Sequence, residues 1–277
     1  MATFQFGWIY DVTIILYACS VLGYFIDFLQ NNRKANKIAF WLLAIVWVLQ
    51  SMFLVTRMIE MGRFPILTIT EGLYFYAWVL VTFSLIINKV FRIDFIVFFT
   101  NVLGFIIMAL HLFAPVDYKS DVLAMQLISE LLIIHITIAI ISYGAFSLSA
   151  IFSMMYMLQY HMIKRKKWSQ RLRRLGDLTK LDRLSYTLNM GGVPILLTSL
   201  ILGLVWAYIS IEDFKWYDFK VVGSFSVLIA YSIYLYVRIA KGIQGKAIVL
   251  WNLAAFLILL INFFLFGSLS RFHFWYG

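Results

Sequence analysis

Long apolar runs, broken at intervals by short clusters of charge, set the pattern of this chain. Eight runs, at about 9–29, 38–57, 69–87, 93–113, 129–160, 191–211, 219–239 and 247–267, reach the roughly 20 residues that an α-helix needs to cross a bilayer. The predicted fold is therefore all-α: a polytopic membrane protein with eight transmembrane helices in a single membrane domain, 1–277. The fifth run is longer than a span requires and is expected to project beyond the bilayer into the basic stretch after it. Pro65 and Pro194 are expected near segment starts, where a missing backbone donor is tolerated.

Composition supports the same class. The 277 residues are 63% hydrophobic and only 13% charged, which sets aside a single soluble core. The first run has no basic leader and no small-residue cleavage site, so it reads as a retained helix rather than a signal peptide. The net charge of +10 is attributed to loops on one side of a membrane, not to nucleic-acid binding. Arg33, Lys34 and Lys37; Lys89 and Arg92; nine basic residues between Lys164 and Arg183; and Arg238, Lys241 and Lys246 alternate along the chain with a sparser set. The sparser set is Arg57, Arg63, Lys119, Lys215, Lys220 and Arg271, a split of 17 to 6. The positive-inside rule puts the 17 in the cytoplasm and both termini outside. The stretch 161–190 is then the one sizeable cytoplasmic loop. Its basic part is either an anchor on anionic lipid or a docking patch for an acidic soluble partner. Cys19 is alone, so it forms no internal disulfide or CxxC pair, and it is expected as a small buried residue. Asp27 is expected to be solvated, and Asn101, Asn189, Asn252 and Asn262 to hydrogen-bond between helices.

The topology gathers chemistry at the outer face. His111 falls near the outer end of the fourth run, and His273 lies in the outward tail RFHFWYG. His135 lies five residues past Glu130, about 7 Å below the interface at 1.5 Å per residue. His161, at the opposite end, is set apart. Ionisable groups inside spans are costly and are functional candidates. Two histidines from different elements suit a haem iron or another transition metal, the alternative for each being a hydrogen-bonded interfacial histidine. There is no HExxH, no nucleophile–base pair and no phosphate loop, so no enzyme is expected. Trp206, Phe214, Trp216, Tyr217, Phe219, Trp275 and Tyr276 cluster at the same end. They read either as an aromatic belt or, with Lys215, Asp218 and Lys220, as apolar faces and cations for a porphyrin and its propionates. Glu71 opens the third span, where a helix dipole favours a carboxylate.

Several segments resemble a known family in order. FPILTITEGLYFYAWVL (64–80), LLIIHITIAIISYGAF (131–146), LDRLSYTLNMGGVPILLTSLILGLVWA (181–207) and SRFHFWYG (270–277) are similar to successive blocks of the CcsA/CcmC-type cytochrome c assembly superfamily, in its HemX-like subgroup. The resemblance implies a helical bundle in a bacterial plasma membrane that holds a non-covalent b-type haem at its outer face. It implies His135 and His273 as axial ligands, flanking a loop of Trp216, Tyr217, Asp218, Phe219 and Lys220. His111 and Glu71 remain additional candidates. The family's loop has several tryptophans before Trp-Asp-Pro-Lys-Glu, whereas this chain has WYDFK, with Phe219 for the proline and Val221 for the glutamate. That favours haem binding over haem delivery to an apocytochrome or other assembly components. The HemX-like subgroup also implies regulation of haem biosynthesis through a soluble enzyme, glutamyl-tRNA reductase, with the basic loop 161–183 as output. The alternatives are a transporter of a small or lipophilic solute, and an adaptor that acts on a soluble enzyme through that loop.

Overall fold

A computed structural model of the chain describes residues 7–91, 94–113, 129–166, 177–211 and 214–270. Each of the eight apolar runs is occupied by a helix, and there is no strand among the described residues. The helices are α1 (Gly7–Gln30), α2 (Arg33–Met61), α3 (Ile69–Phe91), α4 (Asp94–Phe113), α5 (Glu130–Lys164), α6 (Leu178–Ser210), α7 (Phe219–Ile239) and α8 (Lys246–Ile261). Seven of them, counting α8 together with the π-helical turn that continues it to Phe266, are long and apolar enough to cross a membrane, while the apolar stretch of α4, Phe95–Leu110, is shorter. The chain is a multi-pass membrane protein. It divides into two helical units, residues 1–115 and 116–277.

In unit 1, helices approach where side chains are small. Ser20 Oγ donates to the Ala39 carbonyl at 2.9 Å, and a Cβ on Gly23 would lie 3.0 Å from that of Ala39. Such small-residue seams let backbones meet where lipid supplies no hydrophobic drive. α1 and α4 run antiparallel: Tyr10 donates to the Met108 carbonyl and Tyr17 to Asn101 Oδ1, seven residues on in one helix and seven back in the other. Asn101 also donates to Ser84 of α3, the expected interhelical bond. Asp27 departs from expectation. It is buried and accepts from Asn36 Nδ2 at 2.9 Å, because the tight α1–α2 turn folds the start of α2 over it. Cys19 is exposed, not buried, because it is turned about 100° around α1 from the seam residue Ser20, off the buried face that Thr13, Tyr17, Ser20 and Tyr24 form.

Unit 2 is organised by α5 and α6. Positions 182, 185, 189, 192, 196, 199, 203 and 206 of α6 step by three and four and read Asp, Ser, Asn, Gly, Leu, Ser, Gly, Trp. A spacing of 3.5 keeps one stripe facing a single partner helix. The partner stripe on α5 includes His135, Ser142, Ser149 and Ser153. His135 pairs with Ser199, Ser142 with Gly192 and Ser149 with Ser185, again seven forward against seven back. Asn252 of α8 closes this seam. Its Nδ2 lies 2.7–3.1 Å from oxygens of Ser149, Ser153 and Ser185, and its Oδ1 accepts from Asn189. Interhelical hydrogen bonds in membranes average well under 2 kcal/mol each, but this side chain serves several buried groups at once. Asn252→Ala is expected to cost about 1–2 kcal/mol, read as earlier unfolding in a detergent-denaturation titration. An unchanged midpoint would show that the network contributes no net stability.

One boundary shifts from expectation, and the place of a proline with it. α6 starts at Leu178, so much of the stretch 161–190 is helix rather than loop. Pro194 is consequently in the interior of α6 and not near its start. Membrane helices accommodate such a break because neighbouring groups re-satisfy the freed backbone. Residues 167–176 of the basic stretch lie outside the described residues.

Candidate functional site

His135 sits one turn into α5, after the cap that Ser129 Oγ provides to the Leu132 N–H. Its Nδ1 lies 2.6 Å from the Ser199 carbonyl, across the α5–α6 seam. A carbonyl only accepts, so Nδ1 carries the proton and Nε2 keeps its lone pair. This is the arrangement in which a second group fixes tautomer and ring orientation for a metal-binding imidazole. Ser199 Oγ, 2.9 Å from the His135 carbonyl, ties the two backbones in return. Gly203, one turn further along α6, makes room for the ring. A Cβ there would stand 2.5 Å from His135 Cε1 and 2.9 Å from Nε2.

His135 lines a partly open cleft with Trp206, Lys220, Tyr143, Ser224 and Phe263. Lys220, in the first turn of α7, donates from Nζ to the Asn262 carbonyl at 3.2 Å. Asn262 begins a π-helical turn, Asn262–Phe266, at the end of α8. Such turns open where a side chain engages the helix backbone. Gly223 admits the widened turn, since a Cβ there would collide with the Phe266 ring and Asn262 Oδ1. Asn262 Nδ2 donates to Tyr143 Oη at 3.1 Å, which makes it interhelical as expected. Trp206 is buried, and its Nε1–H has no partner among the described residues.

The cleft therefore offers one metal-binding nitrogen, one ammonium and one unsatisfied N–H donor against apolar walls. Its volume, about 80 Å³, suits a carboxylate arm with a few waters and is too small to enclose a macrocycle. The donor set fits one edge of a haem: an imidazole for the iron, and Lys220 with Trp206 for a propionate. Among the described residues that line this cleft, His135 is the one imidazole.

Of the residues singled out by sequence, His135, Trp206 and Lys220 are brought together. Asp218 is not aimed at the cleft. It is buried as the N-cap of α7, accepting from the Lys220 N–H at 2.8 Å, and so positions Lys220 through the backbone. Trp216, Tyr217 and Phe219 are exposed and do not line it. Phe214 packs edge-on against Trp216, and Lys215 lies over the Tyr217 ring. A loop this short, with Asp218 already turned inward as a cap, leaves its aromatics on the outside. His161 is exposed near the other end of α5 and engages the Met157 carbonyl. Glu71 belongs to unit 1, where it pairs with Arg63. The His111 backbone is in α4, but its side chain, like His273, Trp275 and Tyr276, lies outside the described residues. Ser199 and Gly203 went unnoticed in the sequence; the three-and-four spacing of small and polar residues along α6 was the signal.

A family model described as "Cytochrome C assembly protein" matches residues 66–273. The chain is 61% identical over 265 residues to Protein HemX of Bacillus subtilis (strain 168), covering 96% of each. It is 48% identical over 269 residues to Protein HemX of Brevibacillus brevis, covering 97% of this chain and 98% of the other. It is 28% identical over 262 residues to the cytochrome c biogenesis protein CcsA of Mesostigma viride, covering 85% and 82%.

Proposed function

The chain belongs to the cytochrome c assembly protein family, and from that premise we propose that it is a non-enzymatic, haem-binding protein of the bacterial plasma membrane that acts in haem handling or in the regulation of haem synthesis. The observation that carries this reading is the orientation of His135. Its Nδ1–H is committed to the Ser199 carbonyl, and its Nε2 is left available beside Lys220 and the Trp206 N–H. A bound haem would supply an iron for that nitrogen; His135 orients toward it, and Lys220 and Trp206 receive an acidic edge. His273, which lies outside the described residues, would supply a second imidazole to that iron.

The regulatory arm of the proposal rests on length. α5 has 35 residues and α6 has 33, so each extends to about 50 Å, against about 30 Å of hydrocarbon. We propose that the surplus carries the helix ends bearing Lys164 and Lys180 to Arg183 off the membrane, where the basic stretch 161–183 would meet an acidic face of a soluble enzyme such as glutamyl-tRNA reductase.

The test is an absorption spectrum of the purified protein. A Soret band, present on isolation or after addition of haem, is expected. A protein that holds no haem and takes up none overturns the reading.

A further inference from the structure

Unit 1 contains a second cleft, on helices that take no part in the His135 site. α2 and α3 are tied together by Trp47 Nε1 donating to Thr82 Oγ1 and Trp78 Nε1 donating to Ser51 Oγ, both at 2.8 Å. The two indoles also stack, with centroids 6.4 Å apart. Beyond that tie, toward the start of α2 and the end of α3, the helices leave a cleft of about 640 Å³. Lys37, Lys89 and Asn88 stand at its polar rim, and Trp41, Trp47 and Ile86 line its apolar part.

Three features define what would occupy it. Both lysines are exposed, and among the described residues neither forms an ion pair. α2 also opens with Arg33, Lys34 and Lys37 in its first two turns and no acid in the first. Cations there oppose the positive end of the helix dipole, so the rim favours an anion. Directly below, Trp41 is 67% exposed and Ile86 52% exposed, a wall that a small soluble anion would leave bare. An anionic head joined to an apolar chain satisfies both halves. Basic pockets between transmembrane helices take acidic lipid head groups by this combination.

We propose that this cleft binds one anionic phospholipid, with its phosphate between Lys37 and Lys89 and an acyl chain along Trp41, Trp47 and Ile86. The site anchors the α2–α3 edge of unit 1 to the acidic component of the leaflet. It is independent of any haem.

Native mass spectrometry of the full-length purified protein tests this with phosphatidylglycerol, with phosphatidylcholine of the same acyl chains, and with inorganic phosphate. One phosphatidylglycerol is expected to bind in preference to the other two. Each lysine near an anionic head contributes about 5-fold, so K37Q/K89Q is expected to weaken binding about 30-fold, while K37R/K89R retains it. Phosphatidylglycerol brominated on its acyl chain is expected to quench tryptophan fluorescence less in W41F than in the unaltered protein. The proposal is overturned if K37Q/K89Q binds as tightly as the parent, or if inorganic phosphate displaces the lipid at comparable concentration. It is equally overturned if K241Q/K246Q, on the other unit, lowers binding as much as K37Q/K89Q, or if W41F leaves the quenching unchanged.

Discussion

Replacing His135 with alanine is expected to remove or shift the Soret band and to weaken haem uptake by on the order of 100-fold. Rescue by free imidazole separates a ligand from a packing residue. If His135 binds iron through Nε2, imidazole added to the His135→Ala protein should enter the vacated space and restore the band. A purely structural histidine would give no such rescue. Ser199→Ala makes the contrasting case. The group that fixes the tautomer is the Ser199 main-chain carbonyl, 2.6 Å from Nδ1, which alanine retains. That variant should therefore keep its haem with only a modest loss, since it forfeits the hydroxyl's contacts with the His135 carbonyl at 2.9 Å and with Nδ1 at 3.0 Å but not the main-chain bond. Gly203→Ala should behave more like His135→Ala, because the new Cβ would press on the ring at 2.5 Å. A His135→Ala protein with an unaltered spectrum and affinity would remove His135 from the site.

Arg63→Ala is expected to destabilise unit 1 by about 3 kcal/mol, toward the lower end for breaking a buried ion pair. The pair is bidentate, with both guanidinium nitrogens 2.9 Å from the Glu71 oxygens, and both side chains are under 10% exposed. Glu71 also accepts from the Leu67 and Thr68 N–H groups at 2.8 and 3.2 Å. It thereby ties the whole turn between α2 and α3 to the start of α3. Removing Arg63 leaves a buried carboxylate that keeps only these backbone donors, which is why the loss falls short of the largest known cases. Removing both charges with apolar residues of similar volume, as in R63M/E71L, should recover much of the stability. Thermal unfolding in detergent followed by circular dichroism measures both. If R63A melts with the parent protein, the ion pair is not what holds this turn.

Much of the fold was legible in the sequence because lipid makes a simple demand: every backbone polar group must be satisfied within a run of about 20 apolar residues. Each of the eight runs accordingly carries a helix. The asparagines were legible for the same reason, since a buried amide in a span needs a partner on another helix. Asn101, Asn189, Asn252 and Asn262 all have one. The overlong fifth run also stood out, and α5 continues to Lys164. What periodicity concealed was the length of α6. Its first turns are polar, so hydropathy alone started the span thirteen residues late and placed Pro194 near an end.

The candidate site divides along the same line. The sequence alone determined the helical class, the membrane setting, and His135, Trp206 and Lys220 as residues with chemistry to offer, because cost and composition are local properties. Tertiary structure decided their pairing. That Nδ1 of His135 meets a carbonyl 64 positions away depends on the α5–α6 register. A shift of one residue would turn each side chain by about 100° around its helix. That register is set by close approach at Gly192 and Gly203, where only a missing Cβ admits Phe146 and His135. The same holds for Asp218, which its backbone bond to Lys220 makes a cap, and for Asp27, which the α1–α2 turn buries. Residue type limits what a side chain can do; the register of packed helices determines which partner it does it with.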